Sequence, residues 1–351
     1  MKEHKEFLEE LLTAFSPSGC EADALKVWDR YCSDHGFEPY YKDKIGNQAY
    51  KLGNGPTKIL LSGHIDEVNA RVIYISKSGM ISMVSTGGMD RKSLIASEVV
   101  LLGDKGPVRG IVGKRPIHIE STKERDTMED FESLRIDVGA SSEEEVREMG
   151  IYEGCIIVYR RNVNTDFGRY GICSNSLDDK IAVYITAIIM DRLKECIGLW
   201  GSKYTVIGMA AAQEETGCRG AQIAAKNINP DISIDFDVTF STDGDLGIKH
   251  EKQGGVVLGK GGVIMYGPDK SMRIASILKE VCRNHQIAYQ STAGRAGGTN
   301  TNQIQLMSAD CETMLVSVPN RNMHTPVEVC DWRDVESIIA MTTAAIAETK
   351  L

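Results

Sequence analysis

The chain has no apolar run approaching the roughly 20 residues that a membrane span needs, which excludes a bilayer-crossing helix. Its start, Met1-Lys-Glu-His-Lys-Glu-Phe-Leu-Glu-Glu-Leu-Leu, has no basic segment leading into an apolar core, so no signal peptide is expected. Its nine cysteines contain no Cys-x-x-Cys spacing, which argues against a thiolate zinc site or a redox pair. Their scatter and odd number suit a reducing cytoplasm. Nor is there an excess of base. With 49 acids against 40 bases the net charge is −9, and the phosphate neutralisation behind nonspecific nucleic-acid binding is disfavoured. Gly254-Gly, Gly259-Lys-Gly-Gly and Gly294-Arg-Ala-Gly-Gly have neither the Walker pattern nor a clean strand–Gly-x-Gly-x-x-Gly–helix context, and read as tight turns.

What is present is ordinary for a globular protein: 42% hydrophobic and 25% charged residues, in 351 residues that suit two domains better than one. Helical patterns before Phe37 are split by a turn at Ser16-Pro17-Ser18-Gly19, and strand-like runs follow at 48–52 and 58–62. From about Ala70 to Asn164 short β-like runs (72–76, 108–112, 156–159) are broken by Gly and Pro. They surround one helix begun by Ser142 with Glu145 three residues on, a capping box. The α/β alternation then resumes, with an apolar run of helical length at 181–190, a strand at 204–210, a helix at 218–226 and a strand at 232–236. A helix at 271–284, a strand at 313–318 and a helix from Trp332 complete it. The expected fold is α/β: a mixed-sheet α/β/α domain over 1–69 and 165–351, interrupted by a smaller, mostly β insertion over 70–164.

Acids and histidines gather at the ends of the apolar strands. His64-Ile65-Asp66 follows the run from Lys58, Glu214-Glu215 follows the run from Tyr204, and Asp237 closes the run from Ile232. His324 comes just after the run from Thr313, and Asp178-Asp179 precedes the apolar helix. In open α/β sheets the ligand crevice lies outside the carboxyl ends of the strands. Two histidines with several carboxylates there suit a borderline metal such as zinc. On a strand, Asp66 shares a face with His64 and could orient its imidazole or bind metal itself. Adjacent ionised acids such as Glu214 and Glu215 repel unless cations balance them, so one could bind metal while the other takes a proton from the attacking water. Asp237 is a better ligand candidate than Asp235, being nearer the strand end. Each motif also has a plain reading: a surface pair at His64, a helix N-cap at Asp178-Asp179, a solvated loop at Glu214-Glu215, and a loop histidine at 324. The ordered set is what points to a metallohydrolase.

Together, Gly63-His-Ile-Asp-Glu, Leu177-Asp-Asp-Lys, Gln213-Glu-Glu-Thr-Gly, Asp237 and Met323-His-Thr-Pro-Val-Glu resemble the tetrahedral aminopeptidase family, metallopeptidase family forty-two. That family includes glutamyl, leucyl and lysyl aminopeptidases and FrvX-like proteins, some labelled endoglucanase. The likeness covers essentially the whole chain, including Ser85-Thr-Gly-Gly, Gly110-Ile-Val-Gly and Ile136-Asp-Val-Gly-Ala-Ser-Ser in the insertion.

The resemblance implies two divalent metal ions per subunit, zinc first with cobalt or manganese as alternatives. His64 would bind one and His324 the other, Asp178 would bridge them, and Glu215 and Asp237 would each complete one shell. Glu214 would be general base and then general acid, and Asp66 would orient His64. The reaction would be removal of the N-terminal residue from short peptides. The insertion would drive homo-oligomerisation, with a dodecamer expected, and no nucleic-acid or membrane partner is implied. Asn300 stands where many relatives carry Asp, and Ser308-Ala-Asp-Cys-Glu-Thr replaces a Gly-containing turn, so no substrate preference is transferred. Two other readings are a glycoside hydrolase using paired carboxylates and a non-catalytic oligomeric scaffold. Adjacent acids are badly placed to flank one glycosidic bond, and a scaffold would not need the full donor set.

Overall fold

The computed structural model describes residues 4–122, 130–294 and 298–351. The chain forms two compact units. One comprises Met1–Glu67, Val163–Met323 and Val327–Leu351, and the other Val68–Asn162 with His324–Pro326.

The larger unit is built on an eight-stranded mixed sheet in the order Glu38–Lys42, Gln48–Leu52, Tyr204–Ala211, Thr57–His64, Ile232–Phe240, Glu312–Asn320, Gly262–Tyr266, Tyr289–Ala293. Its four central strands are parallel, so their carboxyl ends open on one edge. Both faces are covered, and the alternation of side chains sorts residues between them. Ile59, Leu61, Val206 and Ala210 join the larger core, with the helices Lys5–Thr13, Ala22–Asp34, Leu177–Glu195 and Trp332–Ala347. Leu60, Ile207, Met209 and Ala211 face the other way, against the helix Arg219–Ile228 and Ile304.

The helix Leu177–Glu195 is buried from Leu177 through Met190 and uncharged all round between Ile181 and Met190, as expected of a helix enclosed on every side. Two glycines let it lie close on the sheet. A Cβ at Gly63 would sit 2.4 Å from the Cβ of Ala182, and one at Gly208 would sit 2.1 Å from the sulfur of Met190. That close approach brings the start of the helix beside the carboxyl end of the His64 strand. Among the described residues no helix is long and apolar enough to cross a membrane.

The smaller unit is a closed antiparallel barrel of six strands: Asn69–Ile75, Ile81–Thr86, Arg135–Asp137, Gly106–Val112, Glu98–Gly103 and Ile156–Tyr159. Closure by the pairing of Ala70 with Ile157 removes the open edges that a short sheet would otherwise present. Val72, Ile81, Met83, Val99, Leu101 and Ile136 fill its interior. The expected cap forms in part: Ser142 Oγ accepts the Glu145 N–H at 3.2 Å, while the Glu145 carboxylate takes the N–H of Ser141 rather than that of Ser142.

Candidate metal centre

The centre starts from His64, the last residue of its strand and 2% exposed. Its Nδ1 lies 3.1 Å from the backbone oxygen of Asp66 and 3.4 Å from that residue's carboxylate. With Nδ1–H donating to Asp66, the lone pair of Nε2 faces Asp178 Oδ1 at 3.1 Å. Two lone pairs at that separation call for a cation, either a proton or a metal ion.

Asp66 is fully buried and does more than hold the ring. Its two oxygens accept the N–H groups of Glu214 and Glu215 at 2.9 and 3.2 Å, and Ser18 Oγ also donates to it. One side chain therefore ties the loop after the Tyr204 strand to the end of the His64 strand. Glu214 Oε2 reaches within 3.8 Å of His64 Nε2.

Asp178 and Asp179 begin the long helix, but their backbone dihedrals (ψ 104° and ψ 33°) leave the helical region, and the peptide bond between them is cis. Asp178 N–H donates to Glu328 at 2.9 Å, and Asp179 Oδ2 accepts the N–H of His64 at 3.1 Å. The other oxygen of Asp179 is buried with no hydrogen-bond partner. Asp237 sits within its strand, which runs on to Phe240 rather than ending near Phe236. Asp235 is the other buried acid on that strand; it accepts from Ser62 Oγ on the neighbouring strand and from Ser233 Oγ on its own.

Two sets of donor atoms each lie within 4.8 Å of one another: His64, Asp179 and Asp237, and His64, Asp178 and Glu215. Five of the expected site residues, His64, Asp178, Glu215, Asp237 and Glu214, thus gather in the larger unit, with Asp66 behind them. His324 belongs to neither set. It groups with the smaller unit, where its Nδ1 lies 2.9 Å from Gly88 O and its carbonyl accepts from Tyr159 at 3.1 Å. Asp179 was not picked out as a donor in the sequence, although its twin was. Cys218 packs its sulfur 3.2 Å from Glu214 Oε1. The glycine-rich run from Gly294 includes 295–297, which lie outside the described residues.

The charges follow from this packing. Burial alone would lower the pKa of His64, but its contacts with Asp178 and Asp66 outweigh that and hold it well above the usual range. Burial raises Asp179 well above a normal carboxyl, and the neighbouring Asp237 adds to the shift. Asp237 is raised in the same way by burial and by Asp178. Glu214 is pushed up to about 7 by burial, with His64 opposing and Glu215 adding. Acids packed like this stay ionised together only if positive charge is brought in.

The comparisons with known proteins agree in one direction. A family model described as M42 glutamyl aminopeptidase matches residues 46–341. The chain belongs to the M42 peptidase family. A lysyl aminopeptidase of Pyrococcus furiosus is 32% identical over 312 residues, covering 88% of this chain and 86% of the relative. The crystal structure of a TET aminopeptidase from a marine-sediment Thaumarchaeota archaeon superposes with a TM-score of 0.91 at 29% identity, covering 98% and 95% of the two chains. A TET1 peptidase of Pyrococcus horikoshii, described as assembling into a tetrahedron or a large octahedral shell, gives 0.83 at 25% identity and covers 98% and 99%. This M42 peptidase is a metal-dependent aminopeptidase, a hydrolase that uses divalent metal ions.

Proposed function

We propose that the chain is a dinuclear aminopeptidase that removes the N-terminal residue from short peptides, with Glu214 as the general base. The observation that carries this reading is the lone-pair face between His64 Nε2 and Asp178 Oδ1, in a cluster that gathers Glu215, Asp179 and Asp237 around it, more carboxylates than one ion needs.

The residues fit the metal that the family implies. The donors are one imidazole and several carboxylates, a set suited to zinc, cobalt or manganese, and the unpartnered buried oxygen of Asp179 marks a place where positive charge is missing. His64, Asp178, Glu215 and Asp237 would hold the ions, with Asp178 bridging; His324 enters as a ligand on the family resemblance alone. When bound, the metals would polarise the scissile carbonyl, lower the pKa of the attacking water and anchor the free amine.

The chain's own residues supply the rest. Asp66 fixes the His64 tautomer and, through the Glu214 and Glu215 N–H groups, sets where both glutamates point. Glu214, poised near neutrality, takes a proton from the attacking water on one oxygen and returns it to the leaving amine. Cys218 beside its other oxygen limits the directions that carboxyl can turn.

The proposal extends to assembly and compartment. The insertion, bounded at 70–164, would carry the contacts that build a homo-oligomer of the TET type, a dodecamer by analogy with its relatives. The exposed apolar side chains of Ile73, Tyr74, Val84, Ile111 and Tyr152 support it. Nine unpaired cysteines fit a reducing cytoplasm.

The test is Glu214→Gln in the metal-loaded enzyme, assayed on aminoacyl-p-nitroanilides with metal content measured in parallel. Metal content is expected to stay whole while kcat falls by about 10²–10⁴, the usual worth of a positioned acid–base group. Normal turnover by that variant overturns the assignment.

A further inference from the structure

Away from the centre, a second cluster of metal-binding side chains joins three helices of the larger unit. His4 immediately precedes the helix Lys5–Thr13, His35 immediately follows the helix Ala22–Asp34, and Asp191 lies near the end of the helix Leu177–Glu195. One ligand atom from each lies within 4.8 Å of the other two. Both rings turn to the same carboxylate oxygen: His35 Nδ1 is 3.3 Å and His4 Nε2 is 3.8 Å from Asp191 Oδ2.

We infer that His4, His35 and Asp191 form a separate site for a zinc-class divalent ion, with two imidazoles and one carboxylate as ligands. Bonds of about 2.0–2.2 Å in a tetrahedral shell put neighbouring ligand atoms roughly 3.3 Å apart. The His35–Asp191 distance already matches that edge, and His4, on the exposed side, has room to close the remainder.

Three observations set this cluster apart from a chance surface pairing. His35 Nδ1 is buried and makes no hydrogen bond, although it faces a carboxylate oxygen. The His35 ring stands edge-on against Tyr31, with centroids 3.9 Å apart and planes at 89°, so its direction is fixed by packing. The Tyr31 hydroxyl donates to Asp191 Oδ2, the kind of outer contact that orients a ligating carboxylate. His4 and His35 also line a cleft of ≈ 200 Å³ with Glu10, Arg30 and Asp34, which leaves a fourth position open to water. The donor set differs from that of the principal centre, with more nitrogen and less negative charge, and favours zinc, nickel or copper over hard, oxygen-seeking ions.

An ion held there would clamp the segment before the first helix onto the ends of two others. The competing occupant is a proton shared between the rings and Asp191, which needs no metal. The two are separated by dialysing the full-length enzyme to equilibrium against zinc and counting zinc per chain in the wild type, His4→Ala and Asp191→Asn. Both variants are expected to carry one equivalent fewer per chain, with peptide hydrolysis unchanged. Zinc is expected to raise the Tm of the wild type more than that of His4→Ala. His4 is partly exposed, so its replacement leaves the core intact. The one-equivalent difference holds whatever number the principal centre carries, and so stands apart from the dinuclear reading. Equal zinc content in all three proteins, with equal Tm shifts, overturns the site.

Discussion

At one corner of the α/β unit Asp334 is buried, and its two oxygens accept the N–H groups of Gly259 and Gly261 at 2.7 and 2.6 Å. At the carboxyl end of the central strands Asp178, Asp179, Asp237 and Glu214 are buried too, yet there the acids chiefly face one another and a single imidazole. The first arrangement is closed: the fold supplies a backbone donor to each oxygen. The second is open: backbone donors reach Asp66, one oxygen of Asp179 and one oxygen of Asp237, yet the other oxygen of Asp179 stays buried without a hydrogen-bond partner in the midst of the other acids. A buried acid is therefore no sign of function by itself. What marks a site is the mismatch between the negative charge gathered and the donors the fold provides.

The contrast breaks most visibly when the outside charge is withdrawn. Chelation, or His64→Ala, is expected to abolish peptide hydrolysis, and for the chelated enzyme adding back a divalent metal should restore it. Activity that survives exhaustive chelation would mean that the acids are held by protons alone. The next largest effect after that and the loss in Glu214→Gln belongs to Asp66→Asn. An amide at that position can accept only one of the two N–H groups of Glu214 and Glu215, and it no longer holds His64 with a charge. Outer-shell changes of this kind cost about 10–100-fold in metal affinity or activity, so metal titration should show weaker binding by that factor with the fold intact. Unchanged affinity would reduce Asp66 to a loop tether.

The parallel core and the position of the site at its strand ends were legible because long apolar runs ending in His64, Glu214 and Asp237 carry their own signal. Less was legible at the sheet margins. Glu38–Lys42 and Tyr289–Ala293 are half-exposed edge strands whose polar residues hide the alternation. Gly262–Tyr266 reads as loop after its glycines until it pairs with Glu312–Asn320. Closure of the barrel depends on the pairing of Ala70 with Ile157, which no local pattern encodes. At the site, the membership of Asp179 was hidden because a pattern reader takes Asp178-Asp179 for an ordinary acidic first turn, whereas both residues leave helical geometry. The structural role of Asp235 was equally silent, since its partner Ser62 is distant in sequence and adjacent only through the sheet.

The closed corner gives the smallest and most specific effect. Burial lifts the Asp334 carboxyl to about 7, against the pull of the Gly259 and Gly261 N–H groups, from an ordinary value of 3.8. A folded-state pKa above the unfolded one means that the native state holds its proton more tightly. The stability this confers is whole below the unfolded pKa and is lost as the pH rises through the folded one. Wild-type stability should therefore decline between about pH 4 and pH 7 through this group and level off above. Asp334→Asn removes that slope and leaves one glycine N–H facing an amide N–H₂ in place of an oxygen, a cost of roughly 1–3 kcal/mol. Denaturant midpoints at pH 5 and pH 8 decide the matter. The variant should be less stable than the wild type at pH 5, the gap should narrow at pH 8, and kcat should be unchanged at either pH. A gap that instead widened with pH would mean that the ionised carboxylate is the form the glycine loop stabilises, and that this corner too gathers more charge than burial alone would tolerate.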